Sequence, residues 1–141
     1  MDETKQAEFD KKWHELKSQF TPDDLVRLIL VEAGYEETAM PFDLIELERL
    51  LYKNQDLLPT LANNYVYFRT TGTFPDSPYI ERVYHRLLIS GVLKSLDMVK
   101  LAKGTREYCA KDDAQPTDLE MEVIKEIGQK LREKMTGEKH G

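Results

Sequence analysis

Residues 77–108 place a helix start, a helix stop, two short strand-like runs and a second helix start in quick succession. Ser77 can cap a helix and Pro78 suits its first position. Ile80, Val83, Tyr84 and Leu87 recur at helical spacing and form an inward stripe, and Gly91 is the expected stop. Val92–Leu96 and Val99–Ala102 are short enough to pair as strands around Asp97 and Met98. Lys103, Gly104 and Thr105 then restart a helix that ends near Cys109. A helix leading directly into a hairpin brings the cations of both to one side of the molecule.

The flanking sequence is largely helical. Phe9, Trp13, Leu16 and Phe20 share one face of an expected helix over 3–20. Thr21, Pro22, Asp23 and Asp24 start another, with Leu25, Leu28, Ile29 and Ala33 inward and Gly34 at its end. A third is expected over 41–54, opened by Pro41, with Leu44, Leu47, Leu50 and Leu51 as its core face. Tyr65–Thr71 alternates and is rich in aromatic and β-branched residues, so it reads as a strand. After a polar hinge at 111–116, Thr117 to Glu120 form a capping-box pattern. Leu119, Val123, Ile127 and Leu131 follow at steps of four, with Ile124 and Met135 beside them. The fold class expected is mainly α with a small β-hairpin (α+β). Its divisions are an N-terminal helix at 1–20, a domain at 21–110 and a C-terminal helix at 111–141 that serves as a dimerisation element.

A chain of 141 residues, 40% hydrophobic and 33% charged, can build one core without being wholly disordered. No run approaches the 18 or so apolar residues of a membrane span. The charged start is unlike a secretory signal, and one cysteine cannot form an internal disulfide, so a cytoplasmic protein with no membrane partner is expected. Charge is unevenly distributed. Residues 1–60 carry 14 acidic and 7 basic side chains, whereas 61–108 carry 7 basic and 4 acidic. The net charge of −6 repels polyanions at long range. Any nucleic-acid contact must therefore be local, through the middle third.

Signs of catalysis are few. The sequence has no glycine-rich phosphate loop and no HExxH, and His14, His85 and His140 lack metal-ligand spacing. Glu81 and His85 lie four apart and can share a metal, but a surface ion pair fits that spacing better. Cys109 has no recognisable base beside it and reads as a packed small residue. The carboxylates Glu36, Glu37, Asp43, Glu46 and Glu48 read as a solvated face. The chain is therefore expected to be no enzyme, with neither cofactor nor metal.

The outward face of the 78–89 helix is more suggestive. At about 100° per residue, Arg82, His85, Arg86 and Ile89 fall together. Arginines so placed can pair with guanine in the major groove or hold phosphates. Lys94, Lys100 and Lys103 lie on the strands and their exit, with Arg106 just beyond, where they can rest on the neighbouring DNA backbone. The same charges can also simply solvate an exposed helix and hairpin. Tyr65, Tyr67 and Phe68 with Arg69 form a second candidate surface, since alternate aromatics stack single-stranded bases. Core or edge-strand packing explains that run as well.

Residues 72–79 (GTFPDSPY), 83–93 (VYHRLLISGVL) and 100–107 (KLAKGTRE) resemble winged-helix regulators of the PadR and MarR sort. They are also similar to the Panacea group of phage-associated, antitoxin-like proteins. Leu87, Gly91, Leu93, Leu101, Gly104 and Glu107 occupy the corresponding positions over a resemblance covering roughly 23–109. Ala102 stands where threonine is usual, and the wing is short. The resemblance implies a winged-helix core with N-terminal and C-terminal helical extensions, with Arg82, His85 and Arg86 on the recognition helix. It implies a regulator that binds double-stranded DNA, a homodimer joined through 3–20 and 117–136. The Panacea-like alternative is an adaptor or antitoxin-like factor that holds a protein partner without DNA.

Overall fold

The computed structural model describes Lys5, residues 19–95 and residues 98–137. The expected helix over 3–20 therefore lies outside the described residues, apart from Lys5, Gln19 and Phe20. Helix α1 (Pro22–Ala33) begins as its sequence dictates. Thr21 Oγ1 accepts from the Asp24 amide, and the Asp24 carboxylate accepts from the Thr21 amide. Burial spreads well beyond the anticipated stripe, because Val26, Leu30 and Val31 are covered too. Helix α1 is thus the central rod of the core, and Gly34, at φ +95°, ends it.

Helix α2 (Leu44–Lys53) starts three residues later than Pro41 suggested. Asp43 supplies the cap, accepting from the Ile45 amide at 3.0 Å. Upstream, Met40 lies alongside Val99 and the Pro41 carbonyl accepts from the Tyr35 hydroxyl, which keeps this connection extended. A 3-10 turn (Gln55–Leu57) and the short helix α3 (Pro59–Asn63) follow. The strand expected over 65–71 does not form. Tyr65 takes φ +57°, and Arg69 and Asp76 make only an isolated bridge with each other. Strand propensity reflects packing on a pleated, half-buried surface, and no neighbouring strand offers one here.

Helix α4 (Pro78–Ile89) is capped by Ser77 and buries Ile80, Val83 and Leu87. It leads directly into strand β1 (Leu93–Ser95), which pairs antiparallel with β2 (Val99–Leu101). Leu93 faces Leu101, Lys94 faces Lys100 and Ser95 faces Val99. On the other edge of β2, Val99 exchanges both backbone hydrogen bonds with Met40, and the Leu101 amide donates to the Tyr35 carbonyl. Three backbone segments thus lie side by side in the order 35–40, β2, β1. Leu93, Val99 and Leu101 point into the core while Lys94 and Lys100 point out.

Helices α5 (Thr105–Lys111) and α6 (Asp118–Thr136) complete a mainly helical α+β structure, with six α-helices among the described residues. Helix α6 buries Ile124, Ile127, Gly128 and Leu131, so the anticipated Ile124, Ile127 and Leu131 lie in the core with Val123 and Met135 partly buried beside them, and only Leu119 at the start of the row lies outside it. Leu119 is 77% exposed. Steps of four drift about 40° each around a helix with 3.6 residues per turn, so a pure four-step row winds away from its partner. Thr117 does cap the helix, but the Glu120 carboxylate does not turn back to it as a capping box requires. Instead it accepts from the Thr60 amide at 3.0 Å and the Thr60 hydroxyl at 2.7 Å.

Candidate nucleic-acid interface

Helix α4 presents Arg82, His85, Arg86 and Ile89 to solvent, as its periodicity requires. The four are not equally available. Both nitrogens of the Arg86 fork donate to Asp23 in the first turn of α1, at 2.9 and 2.7 Å, and this pairing holds the guanidinium above its ordinary pKa. Arg82 lies over the ring of Tyr79, 5.7 Å from its centroid. His85 has a ring contact with Tyr84 only, and no ion pair joins it to Glu81. The Glu81–His85 pairing suggested by their spacing is absent.

A second group of cations gathers around the hairpin. Lys94, Lys100, Lys103 and Arg106 line an open groove of about 710 Å³, together with Glu36, Glu37 and Glu107. Antiparallel pairing sets Lys94 directly opposite Lys100, and Lys103 follows at the exit of β2. Lys94, Lys100 and Lys103 are exposed and make no ion pair among the described residues. Two like charges facing each other repel, and they stay apart at little cost only in water or against an anion.

Two of the three acids of the groove, Glu36 and Glu37, are already engaged. Gly104 caps α5 with φ +92° and has no side chain to serve the orphan amides there. Glu36 does that work from the turn after α1, accepting from the Gly104 amide at 2.6 Å and the Arg106 amide at 2.9 Å. Arg106 donates to the Val31 carbonyl at 3.1 Å and lies 3.4 Å from Glu37 and 3.9 Å from Glu32. Its guanidinium therefore clamps the end of α1 and is occupied before any ligand arrives. Of the seven cationic positions marked in the sequence, Arg86 and Arg106 are neutralised by acids. Arg82, His85, Lys94, Lys100 and Lys103 are not paired with acids among the described residues.

Sequence reasoning missed the acids that shape this surface. Glu36 and Glu37 looked like a solvated run, and only the fold brings them to α5. Glu48 is also misread as solvated, for it is 2% exposed and accepts from the Ser77 amide. Burial pushes its carboxyl up to about 7. One of its oxygens lies within 4.8 Å of one oxygen each of Asp76 and Glu81, and Asp76 is paired with Arg69. The aromatic run is split as well. Tyr65 and Tyr67 are exposed, whereas Phe68 packs edge-on against Tyr52 at 5.6 Å. Cys109 is buried, and that burial pushes its thiol up, consistent with a packed residue. Comparison with protein-family models, curated proteins and solved structures finds no match for the chain.

Proposed function

We propose that the chain is a small regulatory binding protein with a winged-helix core that docks on double-stranded DNA. The observation that carries this reading is the set of three lysines, Lys94, Lys100 and Lys103, unpaired among the described residues on one groove, where Glu36 and Glu37 are occupied by α5 and Arg106 and Glu107 is the remaining acid of the lining. The chain order supports it. An extended segment after α1 pairs with β2, β2 pairs with β1, and β1 follows directly from the helix that bears Arg82 and His85. In this reading the lysines hold backbone phosphates and the outward face of α4 meets the groove of the duplex. The chain acts as a homodimer, joined through residues 3–20 and the outer side of α6.

A second reading rests on different residues. Tyr65, Tyr67 and Phe74 are exposed on the segment between α3 and α4, and Ile89 is 86% exposed in the outward face of α4 itself. Apolar side chains so placed suit a protein partner more than a phosphate backbone. Charge reversal separates the two. Lys94→Glu with Lys100→Glu, and separately Arg82→Glu, should each abolish retention on a short duplex at low salt while leaving the fold intact. Unchanged retention in both folded variants refutes the DNA reading and favours the adaptor.

A further inference from the structure

The outward face of α4 has a midline. Arg82 and Ile89 lie seven residues apart, so their side chains leave the helix within about 20° of each other. His85 and Arg86 flank that line, one on either side. Ile89 is 86% exposed and takes no part in the core or in the side chains packed against it. Ser90 and Gly91 follow, both exposed, so no bulky side chain stands beyond it. Of the four outward side chains it is the apolar one.

Its neighbours indicate which surface it can meet. Arg86 is drawn aside to Asp23, and Arg82 lies over the Tyr79 ring. The chain then runs from α4 into a hairpin that carries Lys94 opposite Lys100, with Lys103 at its exit. A partner that covers helix and hairpin together is anionic by charge complementarity. In the duplex reading, on which this inference rests, phosphates go to the lysines and the midline of α4 faces base edges. Base edges in the major groove carry one apolar group, the C5 methyl of thymine. Isoleucine has nothing to hydrogen-bond with, so it can discriminate there only by covering that methyl.

We infer that Ile89 is a specificity residue, reading the C5 methyl of a pyrimidine in the major groove. Seven residues of helix rise about 10 Å and base pairs stack about 3.4 Å apart, so that pyrimidine lies about three base pairs from the base edge that Arg82 faces. This accounts for an exposed isoleucine on a cationic face, which otherwise counts towards a protein partner.

The test measures the equilibrium affinity of the full chain, at one salt concentration, for two pairs of short duplexes that differ only in that methyl. One pair is alternating A·T against alternating A·U, and the other is alternating G·C with 5-methylcytosine against the same duplex with cytosine. Wild type should hold the methylated member of each pair about fourfold more tightly, as the burial of one methyl group provides. Ile89→Ala, at an exposed position whose loss leaves the fold intact, should hold both members equally. Lys94→Gln should weaken all four complexes and keep the fourfold ratio. Equal affinity for both members in the wild type, or a ratio that Ile89→Ala leaves unchanged, overturns the inference, while retention itself sustains the DNA reading. No retention of any duplex overturns both and leaves Ile89 to a protein partner.

Discussion

Glu48 sits on α2 with its carboxylate against the Ser77 amide, and its burial has a consequence for pH. The folded carboxyl titrates at about 7, whereas an unfolded glutamate titrates at its ordinary value of 4.5. Between those values the folded state binds more protons than the unfolded one. The contribution of Glu48 is therefore fully present below pH 4.5 and lost as pH rises through 7, a swing on the order of 3 kcal/mol. Glu48→Gln should raise the melting temperature by several degrees at pH 8 and change it little at pH 5. A variant less stable than wild type at both values contradicts this account. Glu120 behaves differently, because its carboxylate satisfies the buried Thr60 amide and hydroxyl. Glu120→Ala strands both donors and should cost about 2–3 kcal/mol in denaturant unfolding, while Thr60→Val with it recovers part of the loss. At this scale the caps were legible in sequence, since Thr21, Ser77 and Thr117 each bond an amide three residues on. Glu48, Glu120 and Glu36 were not, because their partners lie 29, 60 and 68 residues away.

Helices α1 and α6 meet almost backbone to backbone. A methyl group added at Gly128 would lie 2.8 Å from Glu32 Cβ and 3.0 Å from the Ile29 carbonyl. Alanine improves helix propensity by about 1 kcal/mol, but here it must push two packed helices apart. Gly128→Ala should thus be net destabilising by about 1–3 kcal/mol, whereas Glu126→Ala on the exposed side should be nearly neutral. Stability equal to wild type would show that the helices separate easily. The helix starts at 22 and 78 and the hairpin at 93–101 followed from local signals. The buried face of α6 followed in large part through Ile124, Ile127 and Leu131, but Leu119 satisfies the same periodicity and is exposed, because only the position of α1 decides where the row stays covered. The run at 65–71 failed for a similar reason: its residues favour a strand, but the fold provides no strand beside it.

At the scale of the molecule, the question is whether Arg82, Lys94, Lys100 and Lys103 can act locally in a chain whose net charge is −6. Asp23 is the most informative acid, since it holds Arg86 on a surface where ion pairs contribute about 0–1 kcal/mol to stability. Asp23→Asn frees that guanidinium on the face of α4. Duplex affinity should rise a few-fold with little change in melting temperature, and an unchanged or lower affinity would exclude α4 from the contact. The homodimer is tested separately by sedimentation, where a monomer at micromolar concentration refutes it. Charge patterning in the sequence marked the middle third as the cationic one. It could not show that Arg86 and Arg106 are already paired, because their acids come from α1 and the turn beyond it.

The most direct measurement is the equilibrium affinity for a short duplex as salt rises from about 50 to 300 mM. Each phosphate neutralised adds about −0.9 to the slope of log K against log salt. Three groove lysines therefore predict a slope of about −3 or steeper, collapsing towards zero when Lys94, Lys100 and Lys103 are all changed to Gln. A flat slope in the wild type, or one the triple change leaves intact, would contradict the proposed interface.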